Sequence, residues 1–133
     1  KLSVIEENVR DKRVILIDDS IVRGTTSGLI VKLLKEAGAK EVHMRISSPP
    51  FLYPCYYGTD IDSSEHLIAC KHSVEEIGNI IGVDSLGYLP VNELKSLINS
   101  EDYCSSCFDG NYPTKIPTDT RKDRFEKPLL KEK

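Results

Sequence analysis

The stretch VILIDDSIVRGTTS, residues 14–27, decides the fold of this chain. It opens with four apolar residues, Val14 to Ile17, a run that is too short for a helix and rich in β-branched side chains. Such a run is typical of a strand that is buried on both faces of a parallel sheet. Two carboxylates, Asp18 and Asp19, follow at its carboxyl end, and a short turn then leads into an amphipathic helix. The stretch therefore predicts a strand, a turn and a helix of an α/β protein.

The turn and the start of this helix have the residues of a site for a phosphorylated sugar. The first N–H groups of a helix lack partners within the helix and lie at the positive end of its dipole, so they bind phosphate readily. Gly24 permits a positive φ and a close approach of the backbone to a ligand. Thr25, Thr26 and Ser27 add hydroxyl donors, and Arg23 adds a fixed positive charge.

The two carboxylates require a different ligand, because a phosphate gains nothing from acidic neighbours. Asp18 and Asp19 suit the vicinal hydroxyls of a ribose, which donate hydrogen bonds, or a hard cation such as Mg²⁺ carried on a pyrophosphate. The alternative is an ordinary βα turn that only caps its helix with threonine. Generic turns rarely combine an Asp-Asp pair with a Thr-Thr pair, which favours the sugar-phosphate site.

The run from Asp18 to Ser27, DDSIVRGTTS, resembles the 5-phosphoribosyl-1-pyrophosphate (PRPP) motif of type I phosphoribosyltransferases. It is most similar to the version of that motif in the amidophosphoribosyltransferases. The resemblance implies a Rossmann-like parallel sheet of the phosphoribosyltransferase type, with only its later half in this chain and a carboxyl-terminal extension after it. The implied reaction transfers the phosphoribosyl group of PRPP to glutamine-derived ammonia, giving 5-phosphoribosylamine and pyrophosphate in the first step of purine synthesis.

The resemblance also assigns roles to the motif residues. In the implied site Asp18 and Asp19 bind the ribose hydroxyls or Mg²⁺, no residue of this part of the enzyme is catalytic, and the chain alone is expected to be inactive. The residues expected to bind PRPP are Asp18, Asp19, Ser20, Arg23, Gly24, Thr25, Thr26 and Ser27. Two other functions stay open: a PRPP-binding regulatory module without catalysis, and a metal-binding interaction module in which the Asp-Asp turn is incidental.

Composition indicates a globular chain of ordinary make-up. Of its 133 residues 39% are hydrophobic and 29% charged, and the formal net charge is −3, which disfavours nucleic acid as a partner. The sequence has no run of 18 apolar residues and its first residues do not resemble a signal peptide, so we expect no membrane partner and a cytoplasmic location.

The position of the motif within the chain predicts a missing partner domain. The chain begins with Lys1 and its first strand already carries the PRPP motif, which lies late in the family's sequences. We therefore expect a glutaminase domain upstream in the same polypeptide. The incomplete sheet would expose an edge strand, which favours a homo-oligomer.

The remaining pattern divides the chain in two. Residues 1–98 are predicted to form the partial phosphoribosyltransferase domain, and residues 99–133 the carboxyl-terminal extension with a Cys-x-x-Cys loop and a charged tail. Apolar periodicity and capping signals predict the other elements. These are helices over 26–37, 74–81 and 91–98, strands over 41–47 and 85–89, a short strand or extended piece over 66–70, and an irregular connection over 48–64.

The four cysteines, in a reducing compartment, favour metal or cluster ligation over disulfides. Cys104 and Cys107 form a Cys-x-x-Cys pair that follows a helix and enters a Gly/Pro loop, which disfavours a thioredoxin-like redox pair. A zinc site and two unligated thiols stay open. Cys70 is expected to be a small buried hydrophobe at a strand end. The histidines, His43, His66 and His72, are expected in surface or capping roles, and no Ser/His/Asp arrangement is evident.

The family resemblance extends to the cysteines. One branch of the amidophosphoribosyltransferases carries a 4Fe-4S cluster on four cysteines. Three of them match Cys55, in YPCYYG, and Cys104 and Cys107, in CSSCFDGNYPT. The fourth ligand is expected upstream of this chain, although Cys70 stays open as a substitute. We predict that Cys55, Cys104 and Cys107 converge in space.

Overall fold

The computed structural model describes residues 3–59, 61, 63–97 and 103–116. Within these ranges no helix is long and apolar enough to cross a membrane. The elements follow in this order: α1 (Glu6–Val9), β1 (Arg13–Asp18), α2 (Thr25–Glu36), β2 (Glu41–Ile46), two 3₁₀ turns (Ser64–His66 and Ile68–Cys70), α3 (Val74–Ile81), β3 (Ser85–Tyr88), α4 (Val91–Leu97) and α5 (Ser106–Asp109).

The three strands form one parallel sheet in the order β1-β2-β3. The register aligns Asp18 with Ile46 and Ile46 with Tyr88, so the carboxyl ends of all three strands lie at one edge. The predicted α/β class and the parallel βαβ unit are confirmed. This edge is where parallel α/β sheets bind their ligands.

Local sequence signals fix where the central helices begin and end. At the start of α3 the Ser73 hydroxyl accepts a hydrogen bond from the Glu76 N–H, and the Ser73 N–H donates to the Glu76 carboxylate at 2.7 Å. This reciprocal pair is the predicted capping box. Gly82, at φ 80°, ends α3, and Gly38, at φ 89°, follows α2. Both are left-handed positions that glycine adopts without strain.

The core lies between the sheet and one layer formed by α2 and α3. Val42 and Met44 of β2 are fully buried, and Val31 of α2 and Ile77 of α3 are 1% exposed. Met44 and Ile77 share one apolar cluster, while Val42 and Val31 share another. Each such side chain contributes about 1.5–3 kcal/mol on burial, which holds α2 firmly against the sheet.

The prediction that β1 is buried on both faces is wrong for the described residues. Val14 and Leu16 pack towards α2, but Ile15 is 68% and Ile17 73% exposed. The two isoleucines point to the opposite face because side chains alternate along a strand. No element within the described ranges covers that face.

Apolar spacing predicts one buried stripe on each helix, and this prediction is partly wrong. The stripes are Leu29, Ile30, Leu33, Leu34 and Ala37 on α2, Val74, Ile77, Ile80 and Ile81 on α3, and Leu94, Leu97 and Ile98 on α4. Four side chains of these stripes are exposed, namely Leu29, Val74, Ile80 and Leu97. Helix α2 buries Leu34, which belongs to its predicted stripe, together with Ser27 and Val31, which lie outside that stripe. Each short helix has apolar residues on more than one side, and only the side that meets the sheet is buried. Residue 98 lies outside the described ranges.

Two predicted connections differ in their local structure. Residues 66–70 form no strand, because the Ile68 N–H donates to the Val22 carbonyl at 2.9 Å instead of joining the sheet. The predicted loop over 104–114 contains α5, which ends at Gly110 with φ 75°. The predicted domain boundary at 98/99 lies outside the described ranges.

A second small unit packs two irregular segments together. We name residues 48–59 the aromatic loop and residues 103–116 the terminal loop. Phe51 and Phe108 bring their ring centroids to 5.0 Å, and the Tyr112 hydroxyl donates to the Pro54 carbonyl at 2.7 Å. The Cys107 carbonyl accepts hydrogen bonds from two N–H groups of the aromatic loop. The two segments are therefore linked although about fifty residues separate them along the chain.

Candidate functional site

The connection between β1 and α2 lines a cavity of about 460 Å³ at the carboxyl edge of the sheet. Its wall consists of ten consecutive residues, 18–27, and these include all eight residues that the sequence predicts to bind PRPP. The structure thus brings the predicted residues together around one concave space. Their contiguity in sequence made this the most predictable part of the fold.

The two carboxylates line this cavity and are held by local hydrogen bonds. Asp18 is the last residue of β1, and its carbonyl accepts the Ser47 N–H at 3.0 Å from the neighbouring strand end. The Asp18 Oδ1 accepts the Asp19 N–H at 3.0 Å, and the Asp19 Oδ1 accepts the Ser20 hydroxyl at 3.1 Å. Neither carboxylate forms an ion pair with any described residue. Each acid therefore offers a second oxygen to a ligand.

The start of α2 offers backbone N–H groups to an anion. Gly24 is the N-cap at φ 79°, and no side chain caps the helix. A Cβ at this position would lie 3.0 Å from the Ile68 side chain and 3.3 Å from that of Ile81. Glycine is thus required both by the backbone angle and by the space. The N–H groups of residues 25–27 precede the first internal helix bonds and can bind a phosphate.

Two contacts fix the turn to the body of the protein. Ile21 is 2% exposed within the core, and the Val22 carbonyl accepts the Ile68 N–H at 2.9 Å. Arg23, Thr25 and Thr26 are exposed, whereas Ser27 is 4% exposed. The threonine hydroxyls can therefore reach a ligand, and Ser27 contributes to the packing of α2. The link from Val22 to Ile68 is non-local, and no sequence signal indicated it.

Cys55 lies in the aromatic loop with its sulfur facing a tight turn. The Thr59 N–H donates to the Cys55 Sγ at 3.3 Å. Burial raises the pKa of Cys55, but hydrogen bonds from the N–H groups of Tyr57, Thr59 and Gly58 and from the Thr59 hydroxyl outweigh it, so the pKa is lowered overall. The turn therefore favours the thiolate, which is the form that binds metals.

Cys55 and Cys107 pack against the same apolar cluster, formed by Phe51, Ile61 and Leu67. Burial, together with the charges of Cys55 and Cys104, raises the pKa of Cys107 to about 11. The Cys104 sulfur is exposed and lies 3.1 Å from the Ser106 hydroxyl. The two loops thus place these thiols in one region.

The described residues contain no group of three side chains able to hold a single metal ion. One zinc ion would need sulfurs about 4 Å apart, whereas a cluster spaces its cysteines more widely because each binds a different iron. Cys70 is exposed, which corrects the expectation of a buried hydrophobe. It lies in a 3₁₀ turn, where its sulfur donates to the Leu52 carbonyl at 3.2 Å.

A polar chain on the open face of the sheet has no counterpart in the sequence interpretation. His43 lies between the Ser85 hydroxyl at 2.8 Å from Nδ1 and the Glu41 carboxylate at 2.9 Å from Nε2. Arg45 donates to the Ser85 hydroxyl at 3.1 Å. The pairing of residue 43 with residue 85 produces this contact, so it could be found only once the strand register was known. These hydrogen-bonded side chains link β2 to β3 and lie outside the cavity.

A parallel sheet with this strand-to-helix turn at its carboxyl edge defines a phosphoribosyltransferase-type α/β domain. Comparison with solved structures agrees. The chain matches the glutamine PRPP amidotransferase of B. subtilis, solved with ADP and GMP, with a TM-score of 0.80 and 51% identity over 90% of this chain and 28% of that one. A structure described as the allosteric regulatory enzyme of purine biosynthesis matches with a TM-score of 0.80 and 50% identity.

Curated sequences identify the particular relatives. The chain is 54% identical over 121 residues to the amidophosphoribosyltransferase of Archaeoglobus fulgidus, which is 88% of this chain and 26% of that protein. It is 57% identical over 115 residues to the chloroplastic enzyme of Glycine max, a match that covers 85% of this chain and 20% of that protein. No family model matches the chain. The chain is a homologue of the carboxyl-terminal portion of the amidophosphoribosyltransferases, and it spans about a quarter of the length of the relatives it matches.

Proposed function

We propose that this chain forms the PRPP-binding edge of an amidophosphoribosyltransferase. The full-length enzyme would transfer the phosphoribosyl group of PRPP to ammonia released from glutamine by an upstream domain, giving 5-phosphoribosylamine and pyrophosphate. The observation that carries the proposal is the cavity lined by residues 18–27, which include two carboxylates and the start of a helix that no side chain caps.

The residues of the cavity suit the two ends of PRPP. The N–H groups at the start of α2 and the exposed hydroxyls of Thr25 and Thr26 would bind the 5-phosphate. Asp18 and Asp19 would accept hydrogen bonds from the ribose hydroxyls. Holding the sugar by both ends fixes the orientation of its reacting carbon, which is the main contribution that a protein makes to such a transfer.

The carboxylates also fit a magnesium ion. Each presents an oxygen free of hydrogen bonds to described residues, and carboxylate oxygens are the ligands that Mg²⁺ prefers. When bound, Mg²⁺ would neutralise charge on the departing pyrophosphate. Asp18 and Asp19 are the residues of this chain that would hold it.

The proposal is tested by calorimetric titration of the full-length enzyme with PRPP and Mg²⁺. Asp18→Asn and Asp19→Asn each remove charged hydrogen bonds worth about 1.5–3 kcal/mol, so each should weaken binding roughly ten- to a hundredfold. Asp11→Asn is the matched control, because Asp11 is exposed at the opposite end of β1 and its left-handed φ of 60° suits asparagine. Unchanged affinity in both variants at positions 18 and 19 would refute the assignment.

Pyrophosphate release separates the transferase from the alternative of a regulatory PRPP-binding module. The full-length enzyme should release pyrophosphate from PRPP when supplied with glutamine. A protein that binds PRPP tightly but never releases pyrophosphate would instead be a sensor of PRPP.

We also propose that Cys55, Cys104 and Cys107 bind a 4Fe-4S cluster in the full-length protein, with a fourth ligand from outside this chain. Three facts support this proposal: the lowered pKa of Cys55, the shared apolar cluster under Cys55 and Cys107, and the soft sulfur donors that the three cysteines provide. An anaerobic preparation should be brown, with about four irons per chain. A colourless protein with one zinc per chain, or with no metal, would contradict the cluster.

A further inference from the structure

The sulfur of Cys55 is held by the backbone of its own loop. The chain turns back on itself between Cys55 and Thr59, and this brings the Thr59 N–H to 3.3 Å from the Cys55 Sγ. A second hydrogen bond spans the turn, in which the Cys55 N–H donates to the Ile61 carbonyl at 2.9 Å. The contact therefore depends on backbone groups that the fold holds in place.

Independent contacts anchor this turn on both sides. The Pro54 carbonyl accepts the Tyr112 hydroxyl at 2.7 Å, and Tyr56 stacks on Tyr112 with ring centroids 5.1 Å apart. The Tyr57 hydroxyl lies 2.9 Å from the Thr114 hydroxyl. The N–H that faces the sulfur is thus set before any ligand binds. A donor fixed in this way favours negative charge on the sulfur.

An N–H that donates to a cluster thiolate changes the properties of the cluster. Each added electron increases the negative charge on the sulfurs, so a fixed donor stabilises the reduced state more than the oxidised one. Hydrogen bonds to the sulfurs are accordingly among the factors that set the reduction potentials of iron–sulfur clusters. Removing such a donor should make the potential more negative.

We propose that Thr59 is a positioning residue for the cluster, and that its backbone N–H holds the Cys55 sulfur and raises the reduction potential. This inference rests on the cluster part of the proposed function. It concerns the N–H, which lies 3.3 Å from the sulfur; the Thr59 hydroxyl also favours negative charge on the sulfur, so the two groups are separated by experiment. Thr59 is exposed, so its side chain can be changed without disturbing the core.

Two variants of the full-length enzyme, prepared anaerobically, separate the N–H from the side chain. Thr59→Pro removes the N–H. Thr59→Val keeps the N–H and the β-branched shape and removes only the hydroxyl. Iron content is measured first and the reduction potential second. We expect the reduction potential of Thr59→Pro to be more negative than that of Thr59→Val.

A second measurement covers the case in which Thr59→Pro fails to assemble a cluster. In wild-type enzyme labelled with ¹⁵N-threonine, pulsed electron paramagnetic resonance of the reduced cluster should detect a weak coupling to one threonine nitrogen. The same coupling should vanish in labelled Thr59→Val, because the nitrogen at position 59 is then unlabelled.

The outcomes distinguish the role of Thr59 from the proposed cluster and from the proposed PRPP site. Equal potentials for the two variants at equal iron content, or no threonine coupling in the wild type, would overturn the role of Thr59 while leaving the cluster in place. A full-length protein without iron would overturn the cluster and this inference together. PRPP titration of the same sample reports separately on the phosphoribosyl site.

Discussion

At Gly24 a left-handed backbone angle, contact with core side chains and the lining of the candidate cavity coincide. Its φ of 79° turns the chain into α2, and its missing Cβ leaves room for Ile68 and Ile81. Both requirements come from the fold, whereas the N–H groups that the turn presents would bind the phosphate of the proposed ligand. A change at this residue should therefore affect stability and PRPP binding together.

We predict that Gly24→Ala lowers the free energy of unfolding by about 1–2 kcal/mol, which is the cost of a left-handed residue with a Cβ. The contact at 3.0 Å with Ile68 adds to this cost. Urea unfolding measures the effect, and PRPP affinity should fall in the same variant.

Gly28→Ala is the matched control for this substitution. Gly28 lies inside α2, and a Cβ there would meet nothing closer than 3.8 Å. Alanine should stabilise the helix by about 0.5–1 kcal/mol. If the two variants had the same unfolding free energy, the account of the turn would be wrong.

At the scale of the elements, β1 and β2 differ in how completely they are buried. Met44 of β2 is fully buried between the sheet and α3, whereas Ile17 of β1 is 73% exposed. Met44→Ala should cost about 2–5 kcal/mol of unfolding free energy, because it leaves a cavity in the core. Ile17→Ala should cost roughly 0.5 kcal/mol or less in the same chain. Similar losses from both variants in urea unfolding would show that the second face of β1 is covered.

Helices α4 and α5 are joined by an ion pair whose strength should depend on pH. The Lys95 ammonium donates to the Asp109 carboxylate at 2.8 Å. Burial raises the pKa of Asp109, but hydrogen bonds from Lys95, Asn111 and Ser105 lower it by a larger amount. The folded-state pKa therefore lies well below its ordinary value of 3.8. A carboxyl group with a depressed pKa stabilises the fold at higher pH and loses that effect as pH falls through the folded pKa.

We therefore predict that Asp109→Asn is less stable than the wild type above about pH 5, and that the difference narrows as pH falls below about 4. Lys95→Met breaks the same pair from the other side and should show the same narrowing. Unfolding free energies measured from about pH 6 to about pH 2 provide the test. A stability difference that stays constant with pH would exclude an ionic contribution from this pair.

The sequence predicted some elements well and others poorly, for physical reasons. The strands and α3 follow from local signals, such as the β-branched run before Asp18 and the capping box at Ser73. The candidate cavity was predictable because its wall is one continuous segment. Burial was less predictable, since Leu29 and Ile17 are apolar yet face away from the packed layers. Contacts that join distant segments, such as His43 with Ser85, depend on register and left no sequence signal.

At the scale of the whole molecule, the chain corresponds to one portion of its relatives. The relatives that it matches are about four times as long, and the match falls in their carboxyl-terminal portion. Within the described residues, the sheet edge with the PRPP motif and the two linked loops form neighbouring units. They are connected through the apolar cluster that Val22 shares with Cys55 and Cys107. Val22 thus both lines the cavity and packs against the cluster that the two loops share.

The most direct test of the central claim is a crystal structure of the full-length enzyme with PRPP and Mg²⁺. The account predicts that the 5-phosphate lies about 3 Å from the backbone nitrogens at the start of α2, a normal hydrogen-bond distance. It also predicts that the ribose hydroxyls or the metal contact Asp18 and Asp19. PRPP bound elsewhere, with the cavity of residues 18–27 empty, would contradict the account.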